Sequence, residues 1–262
     1  MIFPRTVKYL NYILLPHHWR GHGIHSPFIF DLVSRVFTNK VDRGIIAAAE
    51  HVRRKMLSDR SKIVVKDLGS GSGLLKSNLR KVSDIARRSP VPGKYGVFLS
   101  KMAAEFGRPD IIELGTSLGI STIYMAASCP DATVYTIEGC PATAGIARQN
   151  FIETGLNNIQ VYEGSFDEVL PRLISTGIKP GLIFIDGNHR KEPVLKYFNM
   201  LAEFADGNTV IIIDDISYSE EMAEAWKEMK LYKKVTASID IYRMGLLFLK
   251  EGITHNHYII RY

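Results

Sequence analysis

Between residues 95 and 214 the chain alternates short β-branched apolar runs with segments of helical periodicity, and this alternation restricts the fold more than any other feature. The helical segments are Tyr95–Phe106, Ser121–Ser128, Ala142–Thr154, Phe166–Ser175 and Glu192–Phe204; the apolar runs are Asp110–Leu114, Thr133–Ile137, Ile159–Tyr162, Leu182–Asp186 and Thr209–Asp214. Nearly unbroken apolar strands, each followed by a helix, require a parallel sheet covered on both faces. The predicted class is α/β, a doubly wound Rossmann-like sheet. After a helix at Glu220–Met229 come two strands, Lys234–Tyr242 and Gly245–Lys250, joined only by Arg243 and Met244. That link is too short for a parallel crossover, so the pair is predicted to close the mostly parallel sheet as an antiparallel hairpin. His257–Tyr262 reads as one more edge strand.

Upstream the character changes. Residues 1–100 hold 18 Lys/Arg against 6 Asp/Glu, whereas residues 101–262 hold 15 against 21, so a net charge of +6 hides halves of +12 and −6. Helical spacing recurs at Thr6–Leu15, Pro27–Phe37 and Ile45–Ser58, a strand is expected at Lys62–Leu68, and Ser89–Gly93 breaks the pattern. The expected division is a basic, mainly helical N-terminal extension, residues 1–93, and a core domain, residues 94–262. A basic segment of this kind suits an anionic partner or docks on the acidic core.

The longest apolar runs, Val210–Ile213 and Leu182–Ile185, fall far short of the roughly 18 residues of a spanning helix, so no membrane partner is expected. Pro16, His17, His18 and Trp19 stand where a signal-peptide cleavage site would need small residues. Two cysteines, Cys129 and Cys140, make no disulfide framework. A cytoplasmic setting is the expectation.

Two glycine-rich turns follow apolar runs: Asp67–Gly73, with Gly69, Gly71 and Gly73, and Glu113–Gly119, with Gly115 and Gly119. The first matches an acidic-x-Gly-x-Gly-x-Gly pattern better, but a basic stretch follows it. The second leads into a helix, a strand and then Glu138, 19 residues past Gly119, where an acid at the next strand end can reach a ribose diol. Context selects Gly115 and Gly119. Neither turn has dinucleotide spacing, and Glu113 would repel a pyrophosphate, which disfavours a nicotinamide or flavin enzyme. A cofactor with positive charge suits Glu113, and a second carboxylate, Glu138, suits ribose hydroxyls.

With these residues in view, positions 95–250 resemble class I S-adenosylmethionine-dependent methyltransferases, nearest to the catechol and caffeoyl-coenzyme A O-methyltransferase type. The similarity is carried by Ile111–Ser121, Val134–Glu138, Glu163–Pro171, Phe184–His189 and Ile211–Asp215, in that order along the chain. The resemblance implies that Gly115, Ser117, Gly119 and Ser121 surround the methionine moiety, that Glu138 meets the ribose, and that Ser165 and Phe166 meet the adenine, with Glu113 counted among the cofactor-binding residues for its charge. The other readings are a solvated strand-end acid at Glu138, helix caps at Ser117 and Ser121, and a core residue at Phe166.

Asp186 ends one inferred strand, and Asp214 and Asp215 end the next, so three carboxylates gather within a few strand spacings. Such a group needs solvation, a retained proton or a cation. The resemblance assigns Asp186, Asp214 and Asp215 to a divalent ion such as Mg2+, with Asp215 standing where the pattern has Asn, and places Asp186 beside the cofactor as well. The alternative leaves Asp186 on the cofactor side while Asp214 and Asp215 cap the following segment. His189, three residues past Asp186, is the candidate general base for an acceptor hydroxyl; a loop histidine that only hydrogen-bonds is the other reading.

The expected function is methyl transfer from S-adenosylmethionine to a hydroxyl of a small molecule, an anionic one included, assisted by a divalent metal. Two alternatives stand beside it: an RNA-modifying methyltransferase using the basic extension, and a cofactor-binding protein without transferase activity. His17, His18, His22 and His25 invite a metal reading, but no cysteine accompanies them. Arg80, Lys81, Arg87 and Arg88 form either a cationic lid or a solvated helix face. The apolar helices of the extension could serve a homodimer.

Overall fold

The computed structural model describes residue 12 and residues 23–66, 78–253 and 255–262. The Asp67–Gly73 turn, His17, His18 and His22, and the Thr6–Leu15 segment apart from Tyr12 lie outside the described residues. The chain divides into two compact units, one from Lys40–Leu182, the other from the residues before Lys40 together with Ile183–Tyr262.

In the first unit a helix, Arg43–Ser58, is followed by β1 (Lys62–Val64) and β2 (Leu79–Lys81), which pair antiparallel. The helix start is set by Asp42, whose carboxylate accepts from the Gly44 N–H at 2.6 Å. Ala49, Val52 and Met56 fall three to four residues apart and are buried on one face. Glu50 and Arg53 fasten that helix. The Tyr124 hydroxyl donates to Glu50 Oε1 at 2.8 Å, Arg53 Nε donates to the same oxygen at 2.9 Å, and Arg53 Nη2 donates to the Val91 carbonyl at 2.6 Å. β2 is only three residues long and has no periodic signal in the sequence. It runs directly into a helix, Val82–Arg88, in which Arg87 pairs with Asp84.

The α/β part of this unit follows: helix Gly93–Phe106, β3 (Asp110–Leu114), helix Ile120–Ser128, β4 (Thr133–Glu138), helix Pro141–Thr154, β5 (Ile159–Glu163) and helix Phe166–Ser175. β3, β4 and β5 are neighbours in that order and all parallel. The register sets Glu113 opposite Thr136 and Glu138 opposite Glu163. Leu118, Ile120, Ile123, Ala147 and Phe151 are buried in one cluster with the Arg43–Ser58 helix, each large side chain contributing about 1.5–3 kcal/mol of burial.

β6 (Pro180–Ile185) is buried at every residue. Its first three residues belong to the first unit, where the strand stands next to β3, and its last three to the second, where it stands next to β7 (Val210–Ile213).

The second unit also holds helices Pro27–Asp31, Lys191–Phe204 and Glu220–Lys230, with β8 (Ala237–Asp240), β9 (Gly245–Phe248) and β10 (Asn256–Ile259). The strand order is β10-β8-β9-β7. β8 and β9 form the expected antiparallel hairpin, and β9 also pairs antiparallel with β7. β10 is the expected extra edge strand, added parallel to β8. The chain before Lys40 packs here through edge-to-face rings, Phe28 on Phe248 at 5.4 Å and Phe37 on Tyr262 at 5.7 Å. The fold class matches the expectation: α/β, with mostly parallel strands, antiparallel C-terminal strands and N-terminal helices. Among the described residues no helix is long and apolar enough to cross a membrane.

Candidate functional site

Among the described residues, four non-glycine residues adopt positive φ: Ser117 (48°), Asn188 (53°), Asp215 (53°) and Tyr242 (72°). Each lies just past the carboxyl end of a strand, respectively β3, β6, β7 and β8. Left-handed backbone costs such residues about 1–3 kcal/mol, and strand carboxyl ends are where α/β sheets place ligands. These loops therefore mark candidate functional positions within each unit, taken separately.

In the first unit the selected glycine turn runs from β3 into the Ile120–Ser128 helix. Gly115 has φ 103° and Gly119, the residue capping that helix, has φ 82°. A Cβ on Gly119 would lie 2.4 Å from the Phe151 ring, so both conformation and space demand glycine there. Ser117 and Ser121 are not caps: Gly119 holds the cap position, and the Ser121 hydroxyl donates to Glu113 Oε1 at 2.6 Å.

Glu113 is fully buried. Its register partner Thr136 donates to Oε2 at 2.6 Å, Thr122 donates to the same oxygen, and Thr116 lies 2.6 Å from Thr136, hydroxyl to hydroxyl. Burial pushes the carboxyl up to about 7; the three hydroxyl donors pull the other way, and the charge of Glu138 pushes further up. The first turn of the helix, with its positive dipole end, also faces this acid. Glu113, the acid expected beside a cationic cofactor, therefore has its carboxylate enclosed by three hydroxyl donors. Ser121, from the helix that follows the turn, ties that helix to the carboxylate.

Glu138 is half-buried at the end of β4, with both oxygens held by backbone: Oε2 accepts from the Ser117 N–H at 2.8 Å and Oε1 from the Cys140 N–H at 2.9 Å. A carboxylate offers about four acceptor positions, so two remain for a diol. The opposing Glu163 is paired with Arg148, which limits repulsion across the register. Ser165 caps the Phe166–Ser175 helix, accepting from the Glu168 N–H at 3.3 Å, and Phe166 is half-buried at its first position.

In the second unit the expected acids do gather, and a residue absent from the sequence expectation gathers with them. Asp214 is fully buried, and Arg243 donates to it three times: Nε to Oδ1 at 2.9 Å and Oδ2 at 3.1 Å, and Nη2 to Oδ2 at 2.6 Å. Arg243 Nη2 also stands 3.5 Å from Asp215 Oδ1. His189 Nε2 lies 3.6 Å from Asp186 Oδ1 and 4.0 Å from Asp215 Oδ2, with its ring 6.0 Å from that of Tyr218. Burial works against the charge on Arg243, but Asp214, Asp215 and Asp186 outweigh it and hold the guanidinium above its usual value. One signal could have found Arg243: an acidic triplet needs a cation, and the two-residue hairpin link supplies one.

This arrangement does not fit a divalent ion. Magnesium needs close, near-octahedral oxygen ligands, whereas Asp214 already receives three hydrogen bonds from Arg243, whose positive charge would repel a cation placed beside it. Among the described residues no group of three or more His, Cys, Asp or Glu side chains is placed to hold a metal.

Fold and turn together define a Rossmann-like α/β protein with its glycine turn between the first strand and helix of the parallel set. A methyltransferase-domain family model matches residues 112–216. The catechol O-methyltransferase of Niastella koreensis is 34% identical over 129 residues, 48% of this chain and 58% of that protein. The catechol O-methyltransferase of Mycobacterium tuberculosis is 30% identical over 158 residues, 60% of this chain and 68% of that protein. The O-methyltransferase TomG of Streptomyces achromogenes, solved in complex with S-adenosylmethionine, shares the fold at a TM-score of 0.58 and 20% identity, over 84% of this chain and 95% of TomG. The chain belongs to the S-adenosylmethionine-dependent methyltransferases related to catechol O-methyltransferases. It spans little more than half the length of the Niastella relative.

Proposed function

We propose that the chain transfers the methyl group of S-adenosylmethionine to a hydroxyl of a small molecule. The observation carrying this reading is Glu138, oriented by the Ser117 and Cys140 amides and left with acceptor positions for a vicinal diol. Gly115, Ser117 and Gly119 let the backbone approach the methionine portion, Ser121 and Glu113 lie beneath it, and Ser165 with Phe166 flank the base. Glu113 adds negative potential that favours a sulfonium over its neutral thioether product.

The chemistry is an in-line displacement: the acceptor oxygen forms a bond to the methyl carbon as the carbon–sulfur bond breaks, and S-adenosylhomocysteine leaves with the electron pair. The protein aligns the two groups and removes the hydroxyl proton. His189, with Asp186 beside its Nε2, is the group proposed to take that proton. A divalent ion, if bound, would lower the acceptor's pKa. The carboxylates as arranged do not offer it a ligand set, and every step above is carried by side chains of this chain.

Calorimetry with S-adenosylmethionine and S-adenosylhomocysteine, followed by a methyl-transfer assay on catechols and related hydroxylated acceptors, tests the reading. Binding of both nucleosides that weakens on Glu138→Ala, with turnover of a hydroxylated acceptor, supports it. Absence of nucleoside binding overturns it; binding without turnover of any acceptor reduces it to a cofactor-binding protein.

A further inference from the structure

We propose that Arg243 is a built-in counter-ion for the Asp186, Asp214 and Asp215 cluster, occupying by its guanidinium the electrostatic place of a divalent cation, so that the chain works without one there. The clause about working rests on the methyl-transfer reading; the counter-ion itself does not.

Three carboxylates this close cannot share a pocket uncompensated. Arg243 meets the deepest of them, Asp214, with three hydrogen bonds and reaches a second, Asp215, at 3.5 Å. A planar guanidinium forked onto a carboxylate is among the strongest such pairs, and Lys does not reproduce its geometry.

The hairpin link is shaped to deliver it. The Ile216 N–H donates to the Arg243 carbonyl at 3.0 Å, tying the link to the segment that follows Asp214 and Asp215. The Arg243 N–H donates to Ile241 and the Ile241 N–H to Met244, each at 3.0 Å, while the Tyr242 N–H donates to Asp240 Oδ1 at 2.7 Å. Tyr242 is held at φ 72° in the process. Left-handed backbone at a tyrosine persists only where its surroundings over-determine it. A metal entering this cluster would have to expel the guanidinium from a fully buried carboxylate, leaving two like charges within a few ångströms.

Mn2+ titration of the full chain, followed by the loss of free-ion electron paramagnetic resonance signal, tests the inference without cofactor or acceptor. The parent chain is expected to show no saturable Mn2+ binding. Arg243→Met is expected to acquire it and Arg243→Met/Asp214→Asn to lose it again, while Arg243→Lys, which keeps a point charge, stays blind to Mn2+. Methyl transfer by the parent is expected to agree within about twofold in chelator and in Mg2+.

Saturable Mn2+ binding by the parent that Asp214→Asn removes overturns the inference, as does transfer lost in chelator and restored by Mg2+. A folded Arg243→Met chain as blind to Mn2+ as the parent also overturns it. If Arg243→Met does not fold, as circular dichroism would show, the parent and Arg243→Lys titrations decide. A chain with neither Mn2+ binding nor methyl transfer sinks the functional reading and leaves the counter-ion standing.

Discussion

The Ser117 amide donates to Glu138 Oε2 at 2.8 Å, so the glycine turn after β3 and the acidic end of β4 form one rigid frame. Ser117 reaches this geometry only with φ at 48°. The backbone strain of one loop thereby fixes the side chain of the next.

Glu138→Gln replaces one carboxylate oxygen with a donor that faces an amide N–H. Affinity for S-adenosylmethionine and S-adenosylhomocysteine is expected to fall together, by roughly tenfold or more, since a charge-assisted hydrogen bond contributes about 1.5–3 kcal/mol. Calorimetry of both ligands reads this. A loss confined to one of them would contradict a ribose contact.

Glu113 makes stability depend on pH with a definite sign. Its carboxyl is raised from 4.5 to about 7 in the folded chain, so between those values the native state holds a proton that the unfolded state has released. Stability from this group is complete below about pH 4.5, declines as pH rises and is lost above about 7, by roughly 3 kcal/mol in all. Urea melts of the parent and of Glu113→Gln at pH 5 and pH 8 should show the parent losing more stability than the variant over that interval.

The same acid bears on ligand choice. As Glu113 ionises near pH 7, the sulfonium should gain affinity relative to the neutral thioether. The ratio of the two dissociation constants, measured from pH 6 to pH 8, is expected to move towards S-adenosylmethionine in the parent and to stay level in Glu113→Gln.

Gly119→Ala adds a methyl group 2.4 Å from the Phe151 ring at a backbone angle of φ 82°. Strain and overpacking together are expected to cost about 2 kcal/mol or more, lowering the melting temperature and weakening nucleoside binding. Gly155→Ala, also at positive φ but with nothing near its Cβ, should show the smaller backbone cost alone.

His189→Ala is expected to reduce turnover by about 10²–10⁴ while leaving the affinity for S-adenosylhomocysteine unchanged, which is the signature of a lost proton acceptor. Single-turnover rates and calorimetry separate the two effects. Full turnover by His189→Ala would remove the histidine from the mechanism.

Most of the α/β architecture was legible because unbroken apolar runs and helical spacing are local, and Asp110–Leu114, Thr133–Glu138 and Val210–Ile213 form strands close to the predicted limits. The hairpin around Arg243 followed from loop length alone. β2 was not legible: three residues, two of them basic, carry no period and are a strand only because β1 lies beside them. At the site, Gly119 could be recognised as a turn residue, but the reason it tolerates no side chain is Phe151, 32 positions further along the chain.

Composition and spacing were thus sufficient for the α/β class, the glycine turn and the acids at the strand ends, because each depends on neighbours within a few residues. Packing alone decided that Glu113 lies among Ser121, Thr122 and Thr136, and that Arg243 stands among the aspartates. Desolvation and charge compensation act through space over a few ångströms, and residues 214 and 243 become partners only when β7 and β9 are paired.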